Sequence, residues 1–181
     1  MPKNVLIISG SPRVNGNSEM LCDAFASGAK SAGCAVEKIS LAGKKLGFCT
    51  ACHACHAGEC PQKDDAPGII RKMLQADIIV LATPVYFFTM CAQLKALIDR
   101  SVSRWSDFGR FKGTEFWHII TAADTNKKMM SATLEGLRGF MRDCMEGSVE
   151  RGVIYGTGAY EKGAVKSLPV FQEAYEAGKS C

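Results

Sequence analysis

Two kinds of hydrophobic pattern alternate along the chain. Val5 to Ser9, closed by Gly-Ser-Pro, and Asp77 to Ala82 are continuous apolar runs, the pattern of strands buried on both faces. Phe116 to Ala122 and Val149 to Tyr155 predict two more strands. Val36 to Leu41 predicts a weaker one, since it carries Glu37 and Lys38. Helical spacing fills the intervals. Asn17 and Ser18 are set as N-caps before a helix reaching about Ala32, where Gly33 stops it. Further helices are predicted over Gly68–Gln75, over Met90–Val102 with Leu94, Leu97 and Ile98 on one face, and over Lys127–Glu146, interrupted by Gly136 and Gly139. The last spans Val165–Ala177.

Five strands alternating with helices predict the α/β class, with a parallel sheet covered by helices on both faces, because right-handed crossovers return each strand to the same sheet. Residues 1–181 read as a single domain without repeats or linkers. One interval breaks the rhythm. From about residue 42 to 67 the chain is irregular, and a loop of that length in a compact domain is usually functional.

Composition removes several classes of function. With 47% apolar and 22% charged residues the chain is globular rather than disordered. No apolar run approaches the roughly 20 residues of a membrane span. The opening MPKNVLIISG has too short an apolar stretch for a secretory signal and reads as the first strand, so a cytoplasmic protein with no membrane partner is expected. The net charge of +4 is mild and no basic run is interleaved with aromatics, which argues against nucleic acid. The 9 cysteines do change the picture, because in an unsecreted chain clustered cysteines point to metal or redox chemistry rather than to a disulfide framework.

The sharpest local signal joins the first strand to the first helix: Ser9-Gly10-Ser11-Pro12-Arg13-Val14-Asn15-Gly16-Asn17-Ser18. Small residues let the backbone approach a phosphate, helix N-terminal amides and the dipole favour an anion, and Ser11, Arg13, Asn17 and Ser18 add side-chain donors. The stretch matches neither the ATP-binding nor the dinucleotide fingerprint. It is similar to the phosphate loop of the NADPH-dependent FMN reductase family, in the flavodoxin-like superfamily. Thr83-Pro84-Val85-Tyr86-Phe87-Phe88, followed by a helix ending in Asp99-Arg100, strengthens the likeness, since family members carry a Pro-x-Tyr loop here that wraps the flavin.

The resemblance implies a flavodoxin-like five-stranded parallel sheet of order 2-1-3-4-5. It also implies FMN held by Ser9, Ser11, Arg13, Asn15, Asn17, Ser18, Pro84, Val85, Tyr86 and Phe87, and by Thr121, Ala122 and Asp124 of a third loop. The two first loops would meet at the topological switch point of such a sheet. Tyr86 to Phe88 could instead be a core patch. Lys95, Asp99 and Arg100 read as helix surface or subunit contact, and His118 as a satisfied core histidine.

Cys49, Cys52, Cys55 and Cys60 have the spacing C-x2-C-x2-C-x4-C, which allows four thiolates to converge on a small metal centre. The pattern resembles the iron–sulfur flavoprotein branch of the same superfamily, implying a 4Fe-4S cluster. Zinc, with His53 and His56 among its ligands, a redox disulfide, or an empty thiol loop remain open. No Ser-His-Asp set or carboxylate pair competes for the chemistry, so no catalytic side chain is expected and the flavin carries the reaction. Two functions follow: an oxidoreductase moving electrons between NAD(P)H and a flavin, quinone or similar acceptor, or an electron carrier taking electrons from ferredoxin. The exposed aromatic loops imply a homodimer or dimer of dimers.

Overall fold

The computed structural model describes residues 2–181. Its strands are β1 (Asn4–Ser9), β2 (Ala35–Ser40), β3 (Ile78–Tyr86), β4 (Thr89–Met90), β5 (Glu115–Thr121) and β6 (Val149–Gly156); its α-helices are α1 (Asn17–Ser31), α2 (Ala66–Met73), α3 (Ala92–Arg100), α4 (Ser131–Arg138) and α5 (Val170–Lys179). The five long strands run parallel in the order β2-β1-β3-β5-β6, the flavodoxin-like arrangement that the sequence implied. The register is continuous from Val5↔Ile78 to Ser9↔Ala82 between β1 and β3, and from Ile78↔Glu115 to Pro84↔Thr121 between β3 and β5.

Alternation along the central strands divides the core in two. Val5 and Ile7 face α1 and α5, where they meet Leu21, Phe25, Val170 and Ala174. Leu6 and Ile8 face α2, α3 and α4, packing with Ile70, Leu94 and Leu137. The first face is unusually tight. A Cβ on Gly28 would lie 2.0 Å from the Tyr175 carbonyl oxygen, and one on Gly178 would lie 2.0 Å from that of Phe25. Only glycine permits this crossing of α1 and α5. Among the described residues, no helix is long and apolar enough to cross a membrane.

Several boundaries differ from the sequence reading, each for a local reason. Gly16 is the N-cap of α1; Asn17 and Ser18 lie inside its first turn, and their side chains bond to the loop after β6 and to the end of β5. Helix α2 starts at Ala66, with Pro67 in the first turn, where a missing N–H costs nothing. Met90 pairs with Val85, so α3 begins only after it, and the chain continues beyond Arg100 as a 3-10 stretch to Phe111. The predicted long helix is split into a 3-10 turn, α4, and a π turn over Gly139–Asp143. Its glycines lower helix propensity where the split falls. Pro169 likewise restarts the last helix as α5.

Candidate functional site

The loops after β1, β3 and β5 leave the carboxyl edge of the sheet together and border a cleft of about 250 Å³. Its floor is the phosphate-loop segment. Gly10 donates its N–H to the Ala82 carbonyl at 2.8 Å, and the Cys91 thiol donates to the Gly10 carbonyl at 3.0 Å. Cys91 in turn donates its N–H to the Thr83 hydroxyl at 3.0 Å. Loop one is therefore pinned to loop two. A Cβ on Gly10 would stand 2.8 Å from the Leu94 Cβ, so this approach requires glycine.

Within the loop, the Ser11 hydroxyl accepts from Arg13 N–H at 3.1 Å, and Gly16 N–H donates to the Arg13 carbonyl at 3.1 Å. Asn15 is left-handed (φ 53°), and its N–H donates to the buried Glu19 carboxylate at 2.6 Å. This is a capping-box contact displaced by one residue. Among the described residues, none accepts from the N–H groups of Ser11, Asn17 or Ser18. Two free amides at the positive end of α1 and a third in the loop before it, on the same segment as Arg13, suit an anion.

Nine of the candidate residues border this cleft: Ser11, Arg13, Asn17, Ser18, Pro84, Val85, Tyr86, Thr121 and Ala122. The other four do not. The Ser9 hydroxyl is buried and has no partner among the described residues. Asn15 turns outward, Phe87 sits fully exposed at a hairpin tip, and the Asp124 carboxylate caps its own loop by accepting from Asn126 N–H at 2.7 Å. Asn17 spends its side chain on scaffolding. It donates to the Ala159 and Glu161 carbonyls (3.0 and 2.8 Å) and accepts from Gly163 N–H at 2.9 Å. Ser18 and Thr121 share a buried hydroxyl pair at 2.6 Å. Sequence reasoning missed Ala159 and Tyr160, from the loop after β6. That loop leaves the same carboxyl edge, which was the available signal.

The Tyr86–Phe88 segment is not a core patch. Tyr86 pairs with Thr89 across a two-residue turn, and Phe87 and Phe88 adopt φ of 48° and 65°. Phe87 is 99% exposed.

A second cavity lies at the far end of α3. Cys49, Cys52, Cys55 and Cys60 all line it, with His53, His56 and Arg100. Ala51 and His53 are both left-handed, which turns the chain sharply on either side of Cys52. No three His, Cys, Asp or Glu side chains among the described residues converge on one metal ion. The backbone N–H of Ala54, then the Thr50 hydroxyl, hold the Cys52 thiol below its ordinary pKa.

Arg100 corrects the reading of this helix end as surface. It is 2% exposed and donates to the Asp64 carboxylate through both terminal nitrogens (2.6 and 3.1 Å). It also donates to the Gly47 carbonyl and the Gln62 side chain, both at 2.9 Å. Partial burial pushes the Asp64 carboxyl up, but the Arg100 bonds and the N–H groups of Gly47 and Ala66 outweigh it and hold the group below the usual range. Lys95 and Asp99, by contrast, form an exposed i,i+4 pair at 2.6 Å, a surface feature as expected. His118 is buried as expected but not satisfied. Neither ring nitrogen has a hydrogen-bond partner among the described residues.

Comparison with known proteins agrees with this geometry. An iron-sulfur flavoprotein from Archaeoglobus fulgidus is 42% identical over 94 residues, covering 51% of this chain and 43% of the relative. One from Methanocaldococcus jannaschii is 46% identical over 98 residues, covering 54% and 51%. The chain thus spans about half the length of these curated relatives. The crystal structure of the azoreductase AzrA superposes with a TM-score of 0.79 at 14% identity, covering 98% of this chain and 100% of that one, a likeness of fold. Residues 3–137, most of the chain and all three cleft loops, match one family throughout. This chain belongs to the NADPH-dependent FMN reductase family.

Proposed function

We propose that this chain is an FMN-dependent oxidoreductase that moves electrons between NAD(P)H and a flavin, quinone or similar acceptor. One observation carries the reading: the convergence of three loops on a cleft whose floor holds unpartnered helix N-terminal amides beside Arg13. That donor set fits a phosphate dianion, with the hydroxyl of Ser11 and the guanidinium of Arg13 completing it. Pro84, Val85 and Tyr86 supply an apolar wall for a planar ring, and Tyr160 also lines the cleft. Bound FMN supplies the redox chemistry, exchanging electrons singly or in pairs. Among the described residues the cleft is bordered by hydroxyl, amide and guanidinium groups and by Tyr86 and Tyr160, and the protein's part in this reading is to bind, orient and exclude water. A homodimer or dimer of dimers fits this reading, with a second copy covering Tyr86 to Phe88.

The four cysteines that line one cavity favour a second reading, an iron–sulfur flavoprotein that accepts electrons from ferredoxin and passes them on. Cys49, Cys52, Cys55 and Cys60 would hold a 4Fe-4S cluster, which supplies one-electron transfer. One anaerobic preparation made with ample iron and sulfide tests both readings. Heat-released flavin is expected to run as FMN at about one per chain, and stoichiometric FAD or no flavin would defeat the FMN site. About four irons and four acid-labile sulfides per chain are expected if the cysteines ligate a cubane. FMN without metal or sulfide would leave the plain NAD(P)H-dependent oxidoreductase, checked by flavin bleaching on stopped-flow mixing with NADPH.

A further inference from the structure

We propose that Arg100 is a positioning residue for Cys60 and, through it, sets the reduction potential of an iron–sulfur centre in the cysteine cavity. This rests on the cluster reading given above. Arg100 is the last residue of α3, lies at the wall of that cavity, and heads the largest fully buried side chains. Its Nη2 donates to the Cys60 sulfur at 3.4 Å while also holding Asp64 at 3.1 Å. Its Nε is buried with no acceptor among the described residues.

The guanidinium fork explains why arginine is used. Nη1 is fully committed to Gly47, Gln62 and Asp64, which fixes the plane of the group. That leaves one edge turned toward sulfur, a geometry that the single point charge of lysine does not provide. Donors to a ligating sulfur draw charge from the centre and stabilise its more negative, reduced form. Asp64 reaches back through the Gly47 and Ala66 amides to both ends of the cysteine loop, so the loop is folded around the same charge.

The experiment compares wild type, Arg100→Lys, Arg100→Gln and the double variant Asp64→Asn/Arg100→Gln. Each is prepared anaerobically and assayed for FMN, iron and sulfide, and its cluster potential is measured by a titration followed by electron paramagnetic resonance. FMN should be retained throughout. The Arg100→Gln centre is expected to be about tenfold harder to reduce, about 59 mV for one electron. Arg100→Lys should fall between it and wild type. The double variant removes one charge of each sign, so a lowered potential there isolates the lost guanidinium–sulfur contact from net charge. It also leaves no uncompensated buried charge, which keeps the test alive if Arg100→Gln fails to fold. Variants that keep their iron at the wild-type potential would overturn the proposal and reduce Arg100 to a clamp. Wild-type protein that binds FMN but no iron or sulfide would instead overturn the cluster reading, and this proposal with it.

Discussion

His118 projects from β5 into the core with no exposure and, among the described residues, no hydrogen-bond partner for either nitrogen, and Glu150 lies 3.8 Å away. Burial pushes its pKa from 6.5 down to about 4; Glu150 opposes that shift, and the nearby Arg138 adds to it. Because the folded pKa is depressed, His118 contributes fully only above the unfolded pKa. Its contribution is lost as pH falls from about 6.5 toward 4, since the unfolded chain takes up the proton first. Between pH 7.5 and 5 the loss is about 2 kcal/mol. Urea unfolding should show that decline in wild type and a much flatter profile in His118→Leu; parallel profiles would remove His118 as the cause. This residue and Arg100 mark the limit of what the sequence made legible. Period and neighbours placed both on their elements, yet neither records whether a polar group inside finds a partner. Asp64 lies far from Arg100 along the chain, and only folding of the cysteine loop joins them.

Strands were legible wherever one residue type dominated a run, as in Val5–Ser9. Helix ends were less so, because Gly16, Pro67 and Pro169 act through backbone geometry that apolar spacing does not show. The β3–β4 hairpin was missed for a sharper reason. A two-residue turn with both φ positive normally announces itself as Asn-Gly or Asp-Gly, and here it is Phe87-Phe88. Left-handed φ costs a bulky residue about 1–2 kcal/mol. Phe87→Asn/Phe88→Gly should therefore stabilise the isolated chain by about 1 kcal/mol after the added unfolded-state freedom of glycine, raising the midpoint by about 2–4 °C. Thermal unfolding at high dilution is the check, and a lowered midpoint would mean that the phenyl rings stabilise the chain they sit on.

At the scale of the whole molecule, α3 ties the two sites together. Cys91, its N-cap, is bonded to the phosphate loop, and Arg100, its last residue, holds the cysteine loop. A nine-residue helix spans roughly 14 Å, a separation one rigid element can maintain. The aromatic hairpin stands apart from this rigid frame. Phe87 is 99% exposed, Phe88 57% and Tyr160 71%, and Tyr86 and Tyr160 line the cleft itself. Strained, exposed aromatic residues beside a binding cleft are retained when something outside the chain covers them. A second copy satisfies that requirement, and the cover should depend on concentration. Light scattering of wild type at micromolar concentration is expected to give at least a dimer. Its melting temperature should rise with protein concentration, since association stabilises the folded form by mass action. Phe87→Asn/Phe88→Gly should give a monomer whose melting temperature does not move with concentration, although each of its chains is intrinsically the more stable. That crossing of the two curves, with wild type lower at high dilution and higher when concentrated, is the specific signature of a hairpin strained for its partner. A wild-type protein that stays monomeric at micromolar concentration with FMN bound would refute it.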